Sequence, residues 1–362
     1  LIIVHVAEYA SGGIATYLKN VISFQLKEKN IDKVILINSK RSSESIEFDS
    51  PKFVHVVYGY KRGVKGILKL LNLRKQIESW NPDIVHFHSS FAGIVRFDYL
   101  FKSPKYKVVY CAHGWSFTQK NKGRINKFIY SKVEFLLSRK TDLIINISND
   151  EMRKAINEGL PSDKMKVIYN SIPNESEKFD VENPFLKSTK NLLFIGRFDE
   201  QKGLDFLLNN VDFKSKNVSL AVIGDSVLGD TSFENLDDSY VNFLGWKNNK
   251  YIDSYIELCD AVIIPSRWEG FGLVALEAMK NKRMVLCSDV GGLSEIVEQG
   301  KTGFKFKPES KIEINNQINK FSQMTKKEIK RFGENGYSKF ITKYNNDDLC
   351  NELQNSYQKL IL

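Results

Sequence analysis

The sequence has no run approaching the roughly 20 consecutive apolar residues that a membrane-spanning helix needs, which excludes such a helix. Its first residues, LIIVHVAEYASGG, are apolar but carry no basic leader. They read as a first strand, and no signal peptide is expected. Cysteine is scarce. Cys111, Cys259, Cys287 and Cys350 are scattered among apolar neighbours, with neither CxxC nor metal-ligand spacing, the pattern of buried free thiols in a reducing cytoplasm. The dinucleotide fingerprint GxGxxG and its ribose-binding acid are missing, which opposes a nicotinamide-dependent oxidoreductase. Aromatics are not interleaved with basic residues on a sheet face, and no reader motif is present. A nucleic-acid-binding protein, the non-enzyme alternative, is therefore disfavoured.

What is present suits a soluble two-domain chain: 362 residues, 42% hydrophobic and 27% charged. The formal net charge of +10 points to an anionic partner. The cations are clustered. YKRGVKGILKLLNLRKQIESW (60–80) holds Lys61, Arg62, Lys65 and Lys69 on an apolar helical spacing, and KNKGRINKFIYSKVEFLLSRK (120–140) repeats the style. These segments read either as solvated helix faces or as a basic, amphipathic surface for anionic lipid headgroups.

Short apolar runs alternate with helical patterns. Strands are expected at 1–7, 33–39, 53–58, 83–89, 107–113, 143–148 and 166–172. After the polar stretch PNESEKFDVENPFLKSTK (173–190) they resume at 191–196, 219–224, 241–245, 261–266, 284–289 and 303–306. Runs of this kind are buried on both faces in parallel sheets. The expected fold class is α/β, with two Rossmann-like doubly wound domains facing across a cleft, 1–172 and 191–345, joined by 173–190.

Candidate chemistry lies at the strand ends. Gly12 and Gly13 follow the first strand at a helix start, where backbone amides can approach a phosphate; a plain tight turn explains them equally. His113 follows the fifth strand. His86 and His88 alternate along one strand and share a face, but no third metal ligand is apparent. In FIGRFDEQKGLDFLL (194–208), Arg197 and Lys202 suit a diphosphate. In RWEGFGLVALEAM (267–279), Glu269 falls on a loop and Glu277 inside a helix. The amides near Gly272 and Leu273 are set to hold phosphate, and the two acids to accept hydroxyls of one ligand. Solvated turn residues and ordinary helix-face acids remain the alternative at this level.

RWEGFGLVALEAM with SDVGGLSEIVEQGKTGFKF (288–306) resembles the donor-binding half of glycosyltransferase family 4, retaining enzymes of GT-B fold. GGIATYL, CAHGW, INISNDEMRKAI, VIYNSIP, GRFDEQKG and FLGW follow in the family's order, so the resemblance covers nearly the whole chain. NSIP departs from the family's usual Asn-Gly-aliphatic-Asp near the interdomain hinge. The resemblance implies that Arg197 and Lys202 hold the donor diphosphate. It gives Gly272, Leu273, Val274 and Gly13 amide contacts to phosphate, and Glu277 the ribose. Glu269 would contact the donor sugar, with His113 nearby. It implies an acceptor-binding N-terminal domain and a terminal helix (346–362) crossing back to that domain. No cofactor or bound metal is expected, since no DxD is placed for Mg²⁺. The implied function is sugar transfer, with retention, from a nucleotide sugar to a membrane-associated, lipid-linked glycan acceptor. A UDP-sugar is favoured and GDP-mannose is next. The implied setting is bacterial surface-polysaccharide assembly, with the protein cytoplasmic and peripheral at the inner face of the cell membrane. A GT-B epimerase or phosphorylase is the enzymatic alternative.

Overall fold

The computed structural model describes residues 1–59, 64–175, 178–225 and 239–362. The chain forms two compact units, residues 1–172 with 346–362, and residues 173–345.

The first unit is built on a seven-stranded sheet. Its strands are β1 (Ile2–Ala7), β2 (Lys33–Ser39), β3 (Phe53–Tyr58), β4 (Ile84–His88), β5 (Lys107–Cys111), β6 (Leu143–Asn146) and β7 (Met165–Val167). They lie in the order β3-β2-β1-β4-β5-β6-β7, and every pairing is parallel. β4 is buried along its whole length, whereas the edge strand β3 is only half covered. Parallel neighbours need helical crossovers, and these cover both faces. Val4, Val6, Val85, Phe87, Val108 and Tyr110 form the core on one face. By alternation, His5, His86, His88 and Cys111 point to the other. That face is closed by the helices Gly13–Lys27 and Asn346–Ile361, which supply Tyr17 and Tyr357, both fully buried.

The second unit repeats the plan with β8 (Lys190–Ile195), β9 (Val218–Ile223), β10 (Val241–Gly245), β11 (Ala261–Ile264), β12 (Met284–Ser288) and β13 (Gly303–Phe306), in the order β10-β9-β8-β11-β12-β13. Its pairings are also parallel. In both sheets the order reverses beside the unit's first strand, between β1 and β4 and between β8 and β11. That position is where doubly wound sheets open a crevice at their carboxyl ends.

All thirteen expected strands are found. One is much shorter than expected: of 166–172 only the start is strand, as Met165–Val167. The polar stretch 173–190 is counted with the second unit. Phe179 donates its amide to Ser254 at 2.9 Å and packs its ring edge-on to Tyr251, while Lys178 pairs with Glu257. The terminal helix is held in the first unit by Tyr357 on His86 and by Lys166 against Glu352 and Ser356. The four cysteines are buried and free. Among the described residues no helix is long and apolar enough to cross a membrane.

One buried ion pair organises the first unit away from the strand ends. Arg96, fully buried, donates to Glu134 Oε2 at 2.7 Å, to Thr141 Oγ1 and to the Gly93 carbonyl, with its guanidinium 3.5 Å from the Tyr110 ring centroid. The Tyr110 hydroxyl donates to the other Glu134 oxygen. A Cβ on Gly93 would stand 2.8 Å from Arg96 Nη2, so this network requires glycine there. Arg96→Met strands a buried carboxylate and should destabilise the first unit by about 3–5 kcal/mol. Arg96→Met with Glu134→Leu should recover much of that loss. Denaturation of the two variants followed by hydrogen exchange in β5 checks this; equal losses would mean that the charges do not depend on one another.

Candidate functional site

In the second unit the loops leaving β8 and β11 meet at the reversal point. Gly203, at φ +69°, lies so close to the end of β11 that a Cβ would stand 2.3 Å from the Pro265 carbonyl oxygen. A side chain there would therefore push the two loops apart. Arg267 clamps them. Its guanidinium forks onto both Asp205 oxygens at 2.8 and 2.7 Å, reaches Glu309 and donates to the Glu200 carbonyl. Sequence reasoning assigned Arg267 no role. An arginine flanking a conspicuous acid gives no hint that its partners lie about 40 to 70 residues away.

This clamp sets Lys202 beside Glu269. Lys202 Nζ donates to Glu269 Oε2 at 2.7 Å, and both side chains are largely shielded. Ser266, buried just beyond the end of β11, reaches the same oxygen at 3.4 Å. Arg197 is more exposed; its Nη2 pairs with Asp199 at 2.8 Å and donates to Gln201 at 3.2 Å. Lys202 and Glu269 are thus brought into contact, while Arg197 is held by its own loop. Gly272 caps the helix Leu273–Lys280 at φ +103°, so Leu273 and Val274 form its first turn. Gly291 and Gly292 bring the next loop against this one. A Cβ on Gly291 would stand 1.8 Å from the Glu269 carbonyl oxygen, and Gly292 donates its amide to Gly270 at 3.2 Å. This packing explains physically why the two motifs occur together.

Glu277 lies one turn into that helix. Burial, then the nearby Asp253 carboxylate, push its carboxyl up to about 7, with Lys280 and Lys202 opposing. Asp253 is itself held by Lys280 at 2.6 Å and Asn281 at 2.7 Å.

In the first unit Gly12 has φ +54° and caps the helix Gly13–Lys27. Its amide donates to Glu44 Oε1 at 2.9 Å, and Glu44 also pairs with Lys19. A carboxylate thus occupies an amide of the Gly12–Gly13 turn. His113, beyond β5, sits at φ +52°, an unfavourable backbone for a non-glycine residue. Glu151 pins the next residue, accepting from the Gly114 and Ile147 amides at 2.6 and 2.7 Å. Burial raises its pKa to about 7 even so. The run Ser148-Asn149-Asp150-Glu151 carries a capping-box signature. Ser148 does cap, but the Glu151 carboxylate is spent on supporting His113's loop.

The apparent lack of a third histidine beside His86 and His88 is corrected by the register, which sets His5 of β1 opposite His86. Ring nitrogens of His5, His86 and His88 lie within 4.8 Å of one another, close enough for a metal ion. Two of these rings instead engage each other directly, in a chain. His5 Nε2 meets Gln25 Oε1 at 2.9 Å, His5 Nδ1 meets His88 Nε2 at 3.0 Å, and His88 Nδ1 meets His113 Nε2 at 3.0 Å. Burial lowers the pKa of every ring in it, to about 4 for His5 and about 3 for His113. All are neutral at pH 7, each with one N–H. With the Gln25 amide oxygen, which can only accept, facing the ring, His5 donates from Nε2. His88 must then donate from Nε2 to His5, and His113 from Nε2 to His88. His113 is left with a lone pair on Nδ1.

Lys61 and Arg62 lie outside the described residues, as do the side chains of Lys65 and Lys69, which belong to the helix Val64–Glu78.

Comparison with known proteins identifies the family and the fold. The family description Glycosyltransferase Family 4 matches residues 11–176, and Glycosyl transferases group 1 matches 175–339. An uncharacterized 41.2 kDa protein in the cps region of Klebsiella pneumoniae is 35% identical over 83% of this chain and 84% of its own length. An O-antigen biosynthesis glycosyltransferase of Escherichia coli, WbnH, is 31% identical over 79% of this chain and 80% of its own. An Escherichia coli UDP-Gal:alpha-D-GlcNAc-diphosphoundecaprenol alpha-1,3-galactosyltransferase is 26% identical over 67% and 66%. Among solved structures, sucrose-phosphate synthase of Thermosynechococcus elongatus superposes with a TM-score of 0.82 at 18% identity, covering 99% of each chain. HepE of Anabaena, solved in complex with UDP and glucose, gives 0.77 at 18% identity over 98% of this chain and 99% of its own. The chain belongs to glycosyltransferase family 4, of the surface-polysaccharide type, and has the GT-B fold.

The histidine chain makes a checkable statement. In ¹⁵N-histidine NMR at neutral pH, His113 should be protonated on Nε2 and bare on Nδ1, and Gln25→Leu should split it into two tautomers. A wild-type His113 protonated on Nδ1 would mean that the Gln25 amide faces the other way and the whole chain runs in reverse.

Proposed function

From membership of that family we propose that this glycosyltransferase moves a sugar, with retention of configuration, from a UDP-sugar to a membrane-associated, lipid-linked glycan. GDP-mannose is the rival donor. The observation that carries the reading is the Lys202–Glu269 pair at the joined ends of the β8 and β11 loops. A departing diphosphate needs cations where water is partly excluded, and a sugar needs a fixed acceptor for its hydroxyls. Lys202 supplies the first, with Arg197. Glu269, held by Lys202 and Ser266, supplies the second. An acid anchored in this way is suited to hydrogen bonding rather than to the paired-carboxylate chemistry of glycosidases.

Glu277 accepts the ribose hydroxyls, and the amides of Gly272, Leu273 and Val274, at a helix N-terminus, receive phosphate. His113, with a bare Nδ1, accepts from a sugar hydroxyl rather than donating to a phosphate oxygen. Attack on the same face from which the diphosphate leaves lets that diphosphate take the acceptor's proton. Cations and helix dipoles carry the electrostatic work, without a bound metal. The donor reading is supported by the UDP complex of the structural neighbour and by the UDP-Gal named for one relative. The acceptor reading is supported by the diphosphoundecaprenol in that relative's name. These names also favour transfer over the epimerase alternative.

Nucleotide release from a panel of UDP- and GDP-sugars, with and without a lipid-diphosphate glycan, tests the reaction. Release that needs the acceptor and comes from one donor is expected; no release from any pair would overturn the reading. Glu269→Ala should lower transfer by about 10²- to 10³-fold and leave UDP affinity nearly unchanged, whereas Lys202→Ala should weaken UDP binding. Equal loss of both properties in Glu269→Ala would remove its assigned role.

Glu277 makes a prediction in pH. Burial pushes its carboxyl up to about 7, and the ionised form is the stronger acceptor for two ribose hydroxyls. Affinity for intact UDP-glucose should therefore rise as pH increases through about 7 and lose that slope in Glu277→Gln. Calorimetric titration across this range decides; a slope unchanged in the variant would place the ribose elsewhere.

A further inference from the structure

The helix Arg124–Ser138 turns a broad apolar face outward, although Tyr130 and Phe135 pack half-buried against the core. Its buried face carries Ser131, Glu134 and Ser138, with Leu137 the one large apolar residue that is fully covered. Its outer face carries Ile125, Phe128, Ile129, Val133 and Leu136, exposed by 76, 63, 50, 40 and 36%. A surface helix of a soluble domain ordinarily shows the reverse. The cause lies in the core. Arg96 is fully buried and needs a carboxylate, and Glu134 of this helix supplies it. With Ser131, Glu134 and Ser138 turned inward beside Leu137 and the half-buried Tyr130 and Phe135, the helix leaves its other large apolar residues on the outside. The 3-10 helix Ile94–Leu100 packs against it, and Phe97 on that element and Phe101 just beyond are exposed by 42 and 79%. Exposed apolar residues grouped on two packed elements in this way mark an interaction site.

The surroundings say what covers it. Residues 120–140 contain seven Lys or Arg and one acid, Glu134, which is buried and paired. Lys132 lies over the Phe128 ring, 5.2 Å from its centroid, as a long cation does when its stem follows an apolar surface. At the helix's C-terminal end is a surface cavity of ≈ 270 Å³. Lys105, Lys107, Arg139, Lys140 and Lys164 line it, with Asp142 as its lone acid. Asp142 is already engaged by the Val108 amide. A second copy of this chain would bring like charge against like charge. An anionic bilayer offers both required complements, hydrocarbon for the apolar face and phosphate for the cations.

We propose that the helix Arg124–Ser138, with Phe97 and Phe101, is the membrane-docking surface of this enzyme. Its apolar face enters the headgroup boundary of an anionic bilayer, and the cavity beside Arg139 and Lys140 receives a lipid headgroup phosphate. This deepens the membrane-associated acceptor reading and rests on it. The element that carries Phe97 also packs against the helix Val64–Glu78, within the 60–80 segment to which the sequence also pointed.

Flotation with vesicles tests it. Phosphatidylcholine vesicles are compared with vesicles that also contain phosphatidylglycerol, at an ionic strength of about 0.15 M, where charges are screened beyond about 8 Å. Wild-type protein should float with the anionic vesicles only. Phe128→Gln/Ile129→Gln and Arg139→Glu/Lys140→Glu should each reduce binding by about tenfold or more, with UDP-induced thermal stabilisation retained as proof of folding. Wild-type protein that ignores anionic vesicles, or variants that float as well as wild type, would overturn the proposal. So would sedimentation showing a dimer that Phe128→Gln/Ile129→Gln dissolves. Transfer to a lipid-diphosphate glycan dispersed in detergent is measured in parallel. Transfer without vesicle binding sinks the docking surface and leaves the proposed function standing; vesicle binding without transfer does the opposite.

Discussion

Burial of the central strands on both faces is the constraint on which the rest of this molecule depends. A strand covered by helices above and below has no solvated face for a polar side chain. Polar residues are therefore pushed to the carboxyl ends of the strands, or kept inside only with partners. Lys202, Ser266 and Glu269 follow the first course, at the ends of β8 and β11. His5, His88 and Arg96 follow the second. The crevice chemistry and the buried networks are two outcomes of one rule about desolvation.

The buried networks are also what position the surface. Glu134 satisfies Arg96, and in doing so turns an apolar helix face outward. Glu151 satisfies two backbone amides, and in doing so holds the loop on which His113 adopts a strained backbone. Gln25 and two histidines set the proton position on His113 from within the core. In each case a group with no part in sugar chemistry decides how a group at the surface or at a strand end presents itself. Stability and function are linked here through hydrogen-bond accounting.

The site in the second unit was largely legible because its motif is local. Glu269, Gly272 and Glu277 fall within nine residues of sequence, and a strand-loop-helix reading places one acid on the loop and the other on the helix. Arg267 and Asp253 were not legible, since their roles depend on partners far along the chain. The glycines of 291–292 could be seen, but not that they close against the Glu269 loop.

All thirteen strands, their parallel habit and the repeat of one plan in two halves followed from sequence alone, because burial on both faces writes itself as short apolar runs at regular intervals. The family likewise followed from motifs that are contiguous in the chain. Only the tertiary structure decided which histidines meet, since the register of β1 against β4 puts His5 beside His86, 81 residues on. It alone decided which face of the helix Arg124–Ser138 looks outward. Hydrophobic periodicity predicts an apolar face turned inward, and a single buried arginine outweighs that preference, because an unpaired charge in the core costs more than apolar side chains left at the surface.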